Sequence, residues 1–176
     1  GGSVGDKGVA ALGEALKSNS ALEELTLRRN KIGAAGAQSL ANMLQFNRAL
    51  TSVNLFYNDL GDGAAAIVAA AKQNGNIKTL CGIEEGKTEV NFSSNGLEAP
   101  DAVLLSFDLE FNRSLKSANL TENDIGDEGA IAISTALETN TTLTSLNLDA
   151  RWDGVKITAR GAQAIARMLG VNRALI

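Results

Sequence analysis

The chain has 176 residues, of which 44% are hydrophobic and only 4% aromatic, so aliphatic residues and alanine must build its core. Its 16 basic and 20 acidic residues give a net charge of -4, which argues against the basic stripe of a nucleic-acid surface. Histidine is absent and Cys81 is the single cysteine, which excludes a disulfide framework, a multi-thiolate zinc site and the usual hydrolase triad. No apolar run reaches the roughly 18 residues of a membrane span. We therefore expect no catalytic residue, metal, cofactor or membrane contact, and a reducing, cytoplasmic setting.

A pattern of apolar residues ending in an asparagine recurs roughly every 28 residues. Three copies are Leu22-Leu25-Leu27-Asn30-Ile32, Leu50-Val53-Leu55-Asn58-Leu60 and Leu115-Ala118-Leu120-Asn123-Ile125. A further copy begins at Leu143. This spacing is the L-x-x-L-x-L-x-x-N-x-L pattern of leucine-rich repeats, which the chain resembles from Val4 to Leu175.

In chain order, each repeat predicts a short strand, a turn and a helix. The segment from Glu24 to Leu27 alternates inward and outward, as a strand does. The resemblance implies that the asparagine in each turn hydrogen-bonds the loop backbone, a role assigned to Asn30, Asn58, Asn95 and Asn123. A helix then begins after Ile32, and its counterparts follow in the later repeats. We expect the helices to end at Asn47, Asn74, Asn112 and Asn140, because asparagine tolerates left-handed backbone geometry.

The full helix in each repeat makes the chain similar to the ribonuclease-inhibitor-like class of leucine-rich repeats. That resemblance implies an α/β solenoid shaped as a curved horseshoe, with parallel strands on the concave face and helices on the convex face. The class includes ribonuclease inhibitors, the repeat regions of NOD-like receptors, and the GTPase-activating proteins that act on Ran. Ribonuclease inhibitors are rich in cysteine, unlike this chain, so three functions remain open: a protein-interaction scaffold, a regulator of a small GTPase, and a NOD-like receptor sensor region.

We expect residues 1–176 to form a single domain of about five to six repeats. The pattern is already under way at the first residues and is still continuing at the last, and neither end shows the polar cap that solenoids need. The sequence therefore predicts a piece of a longer array, with end-to-end self-association as a further expectation. Four N-x-[ST] triplets begin at Asn91, Asn112, Asn119 and Asn140. We attribute them to repeats that are rich in these residues and leave their glycosylation open.

Two segments interrupt the repeat pattern. The first lies near residues 81–88, before a strand predicted at Glu89 to Phe92. The second lies near residues 149–156 and contains Trp152, the only tryptophan. Insertions in repeat proteins often serve binding, but a tolerated change of length fits the first equally well. Trp152 is a candidate binding anchor, or it covers the open edge of the solenoid.

Outward-facing strand positions predict a binding surface on the concave face. Two columns are rich in asparagine and serine, and we interpret them as a polar ladder that satisfies itself. The residues at the adjoining positions differ from one repeat to the next. The early repeats are basic and aromatic there, with Arg28, Arg29, Phe56 and Tyr57. The later repeats carry Glu122, Asp149, Arg151 and Trp152, together with Asp153. We expect a protein partner at these residues, and for the GTPase hypothesis the arginines Arg28, Arg29 and Arg151 are the candidates.

Overall fold

The computed structural model describes residues 2–149, 154 and 156–175. The chain forms two compact units, Gly1–Gly82 and Ile83–Ile176, which we call unit 1 and unit 2. Unit 1 contains α1 (Gly5–Lys17), β1 (Glu24–Thr26), α2 (Ala34–Phe46), β2 (Ser52–Asn54) and α3 (Gly63–Asn74). Unit 2 contains β3 (Glu89–Asn91), α4 (Ala99–Phe111), β4 (Ser117–Asn119), α5 (Gly126–Leu137), β5 (Ser145–Asn147) and α6 (Ala159–Val171). This alternation of helices with short strands confirms the predicted α/β repeat architecture.

The strands pair in parallel, each with the strand of the next repeat. In unit 1, Glu24 pairs with Ser52. In unit 2, the order is β3-β4-β5, and Glu89, Ser117 and Ser145 occupy one row across the sheet. Because equivalent residues pair, the outward positions read from the sequence form rows of side chains within each unit.

The leucines of the repeat form the core of each unit. Leu50 and Leu55 in unit 1 and Leu115 in unit 2 are no more than 1% exposed. The helices pack closely because small residues meet between them. A β-carbon at Gly63 would overlap the Ala37 side chain of the preceding helix. In the described ranges, no helix is both long and apolar enough to cross a bilayer.

The segment before β3 differs from the predicted insertion. Thr79 pairs in parallel with Ser52, and Cys81 bridges Asn54, so these residues continue the sheet of unit 1 beyond β2. Cys81, the first residue of the predicted insertion, is 3% exposed. A strand-like ending of unit 1 is therefore followed by residues 82–88, which form no helix or strand, and then by β3, which lies within the predicted range.

The turn asparagines cross-link successive repeats, as predicted, at Asn58 and Asn123. The Asn123 amide donates to the Phe92 and Leu120 carbonyls, each at 2.8 Å. Its Oδ1 accepts from the backbone N–H groups of Asn95 at 3.2 Å and Leu97 at 2.9 Å. The same role was wrongly expected of Asn95, which is exposed and, within the described part of the chain, makes no side-chain hydrogen bond. Asn95 belongs to the first strand–turn of unit 2, which has no earlier strand of that unit to join.

A second column of asparagines lies at the C-terminal ends of the helices. The structural role of these asparagines differs from the one expected from the sequence. Asn47 follows α2 with φ -65° and ψ 134°, which is extended rather than left-handed. Its amide donates to the Leu16 carbonyl at 2.7 Å, and its Oδ1 accepts from Leu50 N–H at 2.7 Å. Asn140 and Asn172 make the equivalent bonds in unit 2. These side chains satisfy the unpaired carbonyls at the end of the preceding helix, which explains the asparagine at this position.

An aspartate at the start of one helix also holds the start of the next. Asp6 Oδ1 accepts from Gly33 N–H at 2.6 Å, just before α2. Asp127 accepts from Thr158 N–H at 2.7 Å, from the Thr158 hydroxyl at 2.6 Å and from Gly161 N–H at 3.0 Å, at the start of α6. The Thr158 hydroxyl is the main cause of a pKa at Asp127 below the ordinary 3.8. Negative charge at these helix N-termini also suits the helix dipole.

Candidate protein-interaction surface

One position of the turn places a side chain in left-handed backbone geometry in both units. It lies immediately before the turn asparagine, and its occupants are Arg29, Tyr57, Ser94 and Glu122, with φ between 53° and 63°. Non-glycine residues adopt this geometry only when the surroundings impose it. Here the next repeat fixes the backbone: Arg29 N–H donates to Phe56 O at 3.2 Å, and Glu122 N–H donates to Asp149 O at 2.7 Å. We call these four residues the turn positions.

In unit 1, the turn positions bring two arginines onto one aromatic ring. The guanidinium carbon of Arg28 lies 4.9 Å from the centre of the Tyr57 ring, and that of Arg29 lies 4.8 Å from it. Both arginines are exposed, and Tyr57 is half-buried. We call Arg28, Arg29 and Tyr57 the arginine–tyrosine cluster. The basic and aromatic patch predicted for the early repeats is therefore assembled by the fold from residues of two repeats.

Phe56 lies outside this exposed surface, and the expectation that it is an exposed contact residue is wrong. Its side chain is 1% exposed, and its ring meets Tyr57 edge-on with a centre-to-centre distance of 5.8 Å. The chain turns out of the strand after Asn54, so the residue following Leu55 faces the core instead of continuing the alternation. Phe56 supports the Tyr57 ring from beneath.

In unit 2, the corresponding positions are acidic. The Ser94 hydroxyl donates to a Glu122 carboxylate oxygen at 2.5 Å, which links the turn positions of two neighbouring repeats. Asp149 is exposed, and its backbone carbonyl accepts from Glu122 N–H. This backbone hydrogen bond makes Glu122 and Asp149 neighbours, and their role in binding stays a prediction. Arg151, Trp152 and Asp153 lie outside the described residues, so their part in the surface stays a prediction.

The asparagine column of the strands does not form the ladder that the sequence predicted. Asn91 Oδ1 accepts from Ser93 N–H at 3.0 Å, and Asn119 Oδ1 accepts from Thr121 N–H at 3.0 Å. Asn147 does the same with Asp149 N–H at 3.1 Å. Each asparagine closes the turn of its own repeat, which orients the residues that follow the strand.

A feature of the helical side was not predicted. Phe46 at the end of α2 is 58% exposed, with the Lys17 ammonium 5.6 Å from its ring centre, and Phe111 at the end of α4 is 44% exposed. The signal was present in the sequence, since a Phe-Asn-Arg triplet occurs at both places. The other repeats have non-aromatic residues before this asparagine, such as Gln73, Thr139 and Val171, so the repeat scaffold does not require an aromatic side chain there.

Metal chemistry finds no support in the described ranges. They contain no group of three or more cysteine, aspartate or glutamate side chains arranged to hold a metal ion. The carboxylates of the surface, Glu122 and Asp149, stand beside serine and backbone groups. The arrangement offers charged, aromatic and hydrogen-bonding side chains on a fixed backbone, which is the chemistry of recognition.

Comparison with known proteins identifies the repeats. Residues 18–41, 46–67 and 111–134 match the family model described as Leucine Rich repeat, so leucine-rich repeats occur in both units. The similarity predicted from the sequence is confirmed at this level, while the narrower resemblance to ribonuclease-inhibitor-like proteins stays a prediction. No curated protein sequence matches the chain.

Two solved structures illustrate the likeness of the backbone. One is described as "Leiomodin-1 Actin-Binding Site 2 (ABS2)"; it is 20% identical with a TM-score of 0.42, over 95% of this chain and 73% of that chain. The other is the tropomodulin C-terminal domain of Caenorhabditis elegans. It is 12% identical with a TM-score of 0.31, over 93% of this chain and 92% of that chain.

Proposed function

We propose that this chain is a non-enzymatic interaction module that binds a protein partner through the turn positions and the residues beside them. The observation that carries the proposal is the left-handed backbone at the four turn positions. Glycine or asparagine would occupy that geometry with less strain. The chain instead carries arginine, tyrosine, serine and glutamate there, three of which are exposed.

The rigidity of the scaffold supports the same conclusion. A buried asparagine lies directly after two of the turn positions, Tyr57 and Glu122. These asparagines, Asn58 and Asn123, are 7% and 2% exposed, and each is bonded to backbone groups of two repeats. Because the backbone is already fixed at these turns, binding there orders side chains but need not order a loop. The scaffold is the same in each repeat and the displayed side chains differ, which is how one architecture acquires a specific partner.

Selection from a displayed library of short random peptides tests the proposal. We expect the protein to enrich a set of related peptides, which bind in solution by fluorescence anisotropy. Two double variants each truncate the side chains of the proposed surface in one unit. The first is Arg28→Ala with Tyr57→Ala in unit 1, and the second is Glu122→Ala with Asp149→Ala in unit 2. At least one of them should weaken the selected peptides by about tenfold or more, since aromatic and arginine side chains dominate interface energies.

Matched controls lie on the helices. Gln38 in α2 and Gln163 in α6 are exposed residues of the helices and do not belong to the turns. The double variant Gln38→Ala with Gln163→Ala should therefore leave binding unchanged. If both surface variants bind as the parent does while the helix variant fails, the binding surface is on the helices and the proposal is wrong.

Regulation of a small GTPase is the second candidate, and the exposed arginines favour it. Arg28 and Arg29 stand on the same turn edge with guanidinium groups that no described carboxylate neutralises. An arginine supplied by a partner can stabilise charge in GTP hydrolysis. Adding this chain to small GTPases should then speed hydrolysis, and Arg28→Ala or Arg29→Ala should abolish the effect. Unchanged hydrolysis with the parent protein would remove this candidate.

A further inference from the structure

The arginine–tyrosine cluster concentrates positive charge without neutralising it. Both guanidinium carbons lie within 5 Å of one ring centre, so the two cations are at most about 10 Å apart, which is one Debye length at 0.1 M salt. Lys31, which is also exposed, follows two residues later. Among the described residues, no carboxylate lies within ion-pair distance of Arg28 or Arg29. In a chain of net charge -4, this is an exposed basic site without its own counter-charge.

The geometry of the cluster leaves its donors available. A guanidinium that lies over an aromatic ring uses its flat face for the contact, and its N–H donors lie around the edge of that plane. Those donors match the two oxygens of a carboxylate in a bidentate pair. The Tyr57 ring is restricted in its position, because the backbone of this residue is fixed at φ 63° and the buried Phe56 ring packs against it. The ring that both guanidinium groups contact is thus held in place before any ligand arrives.

From this arrangement we propose that the arginine–tyrosine cluster binds an acidic segment of a partner protein, with two carboxylates paired to Arg28 and Arg29. This inference rests on the proposed function and names the chemistry of its partner. A continuous polyanion such as RNA fits less well, since Glu24 at the start of β1 and Asp59 just after Tyr57 are exposed carboxylates on the same two repeats. A short acidic segment needs to contact only the two arginines, whereas a polyanion would extend past these carboxylates.

Two labelled peptides of equal length test the inference: one rich in aspartate and glutamate, the other with asparagine and glutamine in their place. We expect the acidic peptide to bind in fluorescence anisotropy, more weakly as salt is raised, and the amide peptide not to bind. Arg28→Ala with Arg29→Ala should weaken the acidic peptide by about tenfold or more. Arg48→Ala with Arg173→Ala removes the same two charges from exposed positions after α2 and α6 and is the matched control, with no loss expected.

Lysine substitution separates bidentate pairing from simple attraction. Arg28→Lys with Arg29→Lys keeps both charges but loses the planar fork, so we expect most of the binding to be lost. Full binding by this variant would show that only the net charge matters and would overturn the proposed pairing. Circular dichroism of each variant establishes that the fold is intact.

The remaining outcomes distinguish this inference from the proposed function. If the acidic peptide does not bind, while library peptides depend on Glu122 and Asp149, the acidic partner is wrong and the interaction surface stands. If a labelled single-stranded RNA binds more tightly than the acidic peptide, and Arg28→Ala with Arg29→Ala abolishes that binding, the cluster is a nucleic-acid site and the inference is overturned.

Discussion

Asn123 offers a direct measure of how much the turn asparagines stabilise the repeats. The variant Asn123→Ala loses the four shortest hydrogen bonds of this side chain: two donated to the carbonyls of Phe92 and Leu120, and two accepted from the N–H groups of Asn95 and Leu97. A longer bond of 3.3 Å to the Thr121 carbonyl is lost as well. Each such bond contributes about 0.5–1.5 kcal/mol net. Because Asn123 is 2% exposed, the backbone groups left behind cannot all reach water.

The four bonds together give a loss of about 2–6 kcal/mol in the free energy of unfolding. Water that enters the space of the removed amide recovers a part, so we expect about 3 kcal/mol. That is a large share of the roughly 5–15 kcal/mol that stabilises a typical domain. Urea denaturation followed by far-UV circular dichroism measures it, and amide hydrogen exchange at Leu97 reports the local opening.

The matched control is Asn95→Ala, which makes the same change at the same position of the neighbouring repeat. Since the Asn95 side chain is exposed, this variant should differ from the parent by no more than about 0.5 kcal/mol. Asn123→Asp keeps the shape but replaces the two donors by a carboxylate facing carbonyl oxygens, so it should be at least as unstable as the alanine variant. Equal stability of Asn123→Ala and Asn95→Ala would refute the reasoning.

Three further predictions concern single side chains. Ser134 has a buried hydroxyl with no hydrogen-bond partner among the described residues, so Ser134→Ala should raise the free energy of unfolding by about 1 kcal/mol, as measured in urea. Asp127 has a lowered pKa through Thr158, so its stabilising effect is complete above the ordinary 3.8 and is lost as the pH falls through the lowered pKa. Asp127→Asn should therefore flatten the decline of stability with acid in this range, and an unchanged pH profile would contradict the assigned hydrogen bonds. Glu122→Gly relieves the left-handed backbone and loses only the exposed bond to Ser94, so stability should stay equal or rise by up to about 1 kcal/mol, while any peptide held by Glu122 should be lost.

Much of the architecture could be predicted from the sequence because the repeat is local and periodic. A strand, an asparagine turn and a helix within one period leave few alternatives, and each repeat confirms its neighbours. Leu50 and Leu115 were therefore correctly placed in the core, and Asn58 and Asn123 were correctly assigned to the backbone of the turns.

The errors came from contacts between repeats, which no single repeat specifies. Phe56 continues an outward alternation in the sequence, yet the chain leaves the strand two residues earlier and the ring is buried. Asn47 ends a helix by bonding the previous helix, not by adopting left-handed geometry. Asn95 has the sequence of a cross-linking asparagine but no earlier strand of its own unit to join.

The sequence by itself determined the repeat, its period, the buried leucines and the presence of arginine and tyrosine beside the strands, because these follow from local spacing. The sequence also predicted a basic and aromatic patch in the early repeats, but only the tertiary structure decided that both Arg28 and Arg29 contact the Tyr57 ring, since parallel pairing brings together residues one repeat apart. The tertiary structure also decided which residues are exposed, because burial depends on the neighbouring repeat that covers each side chain.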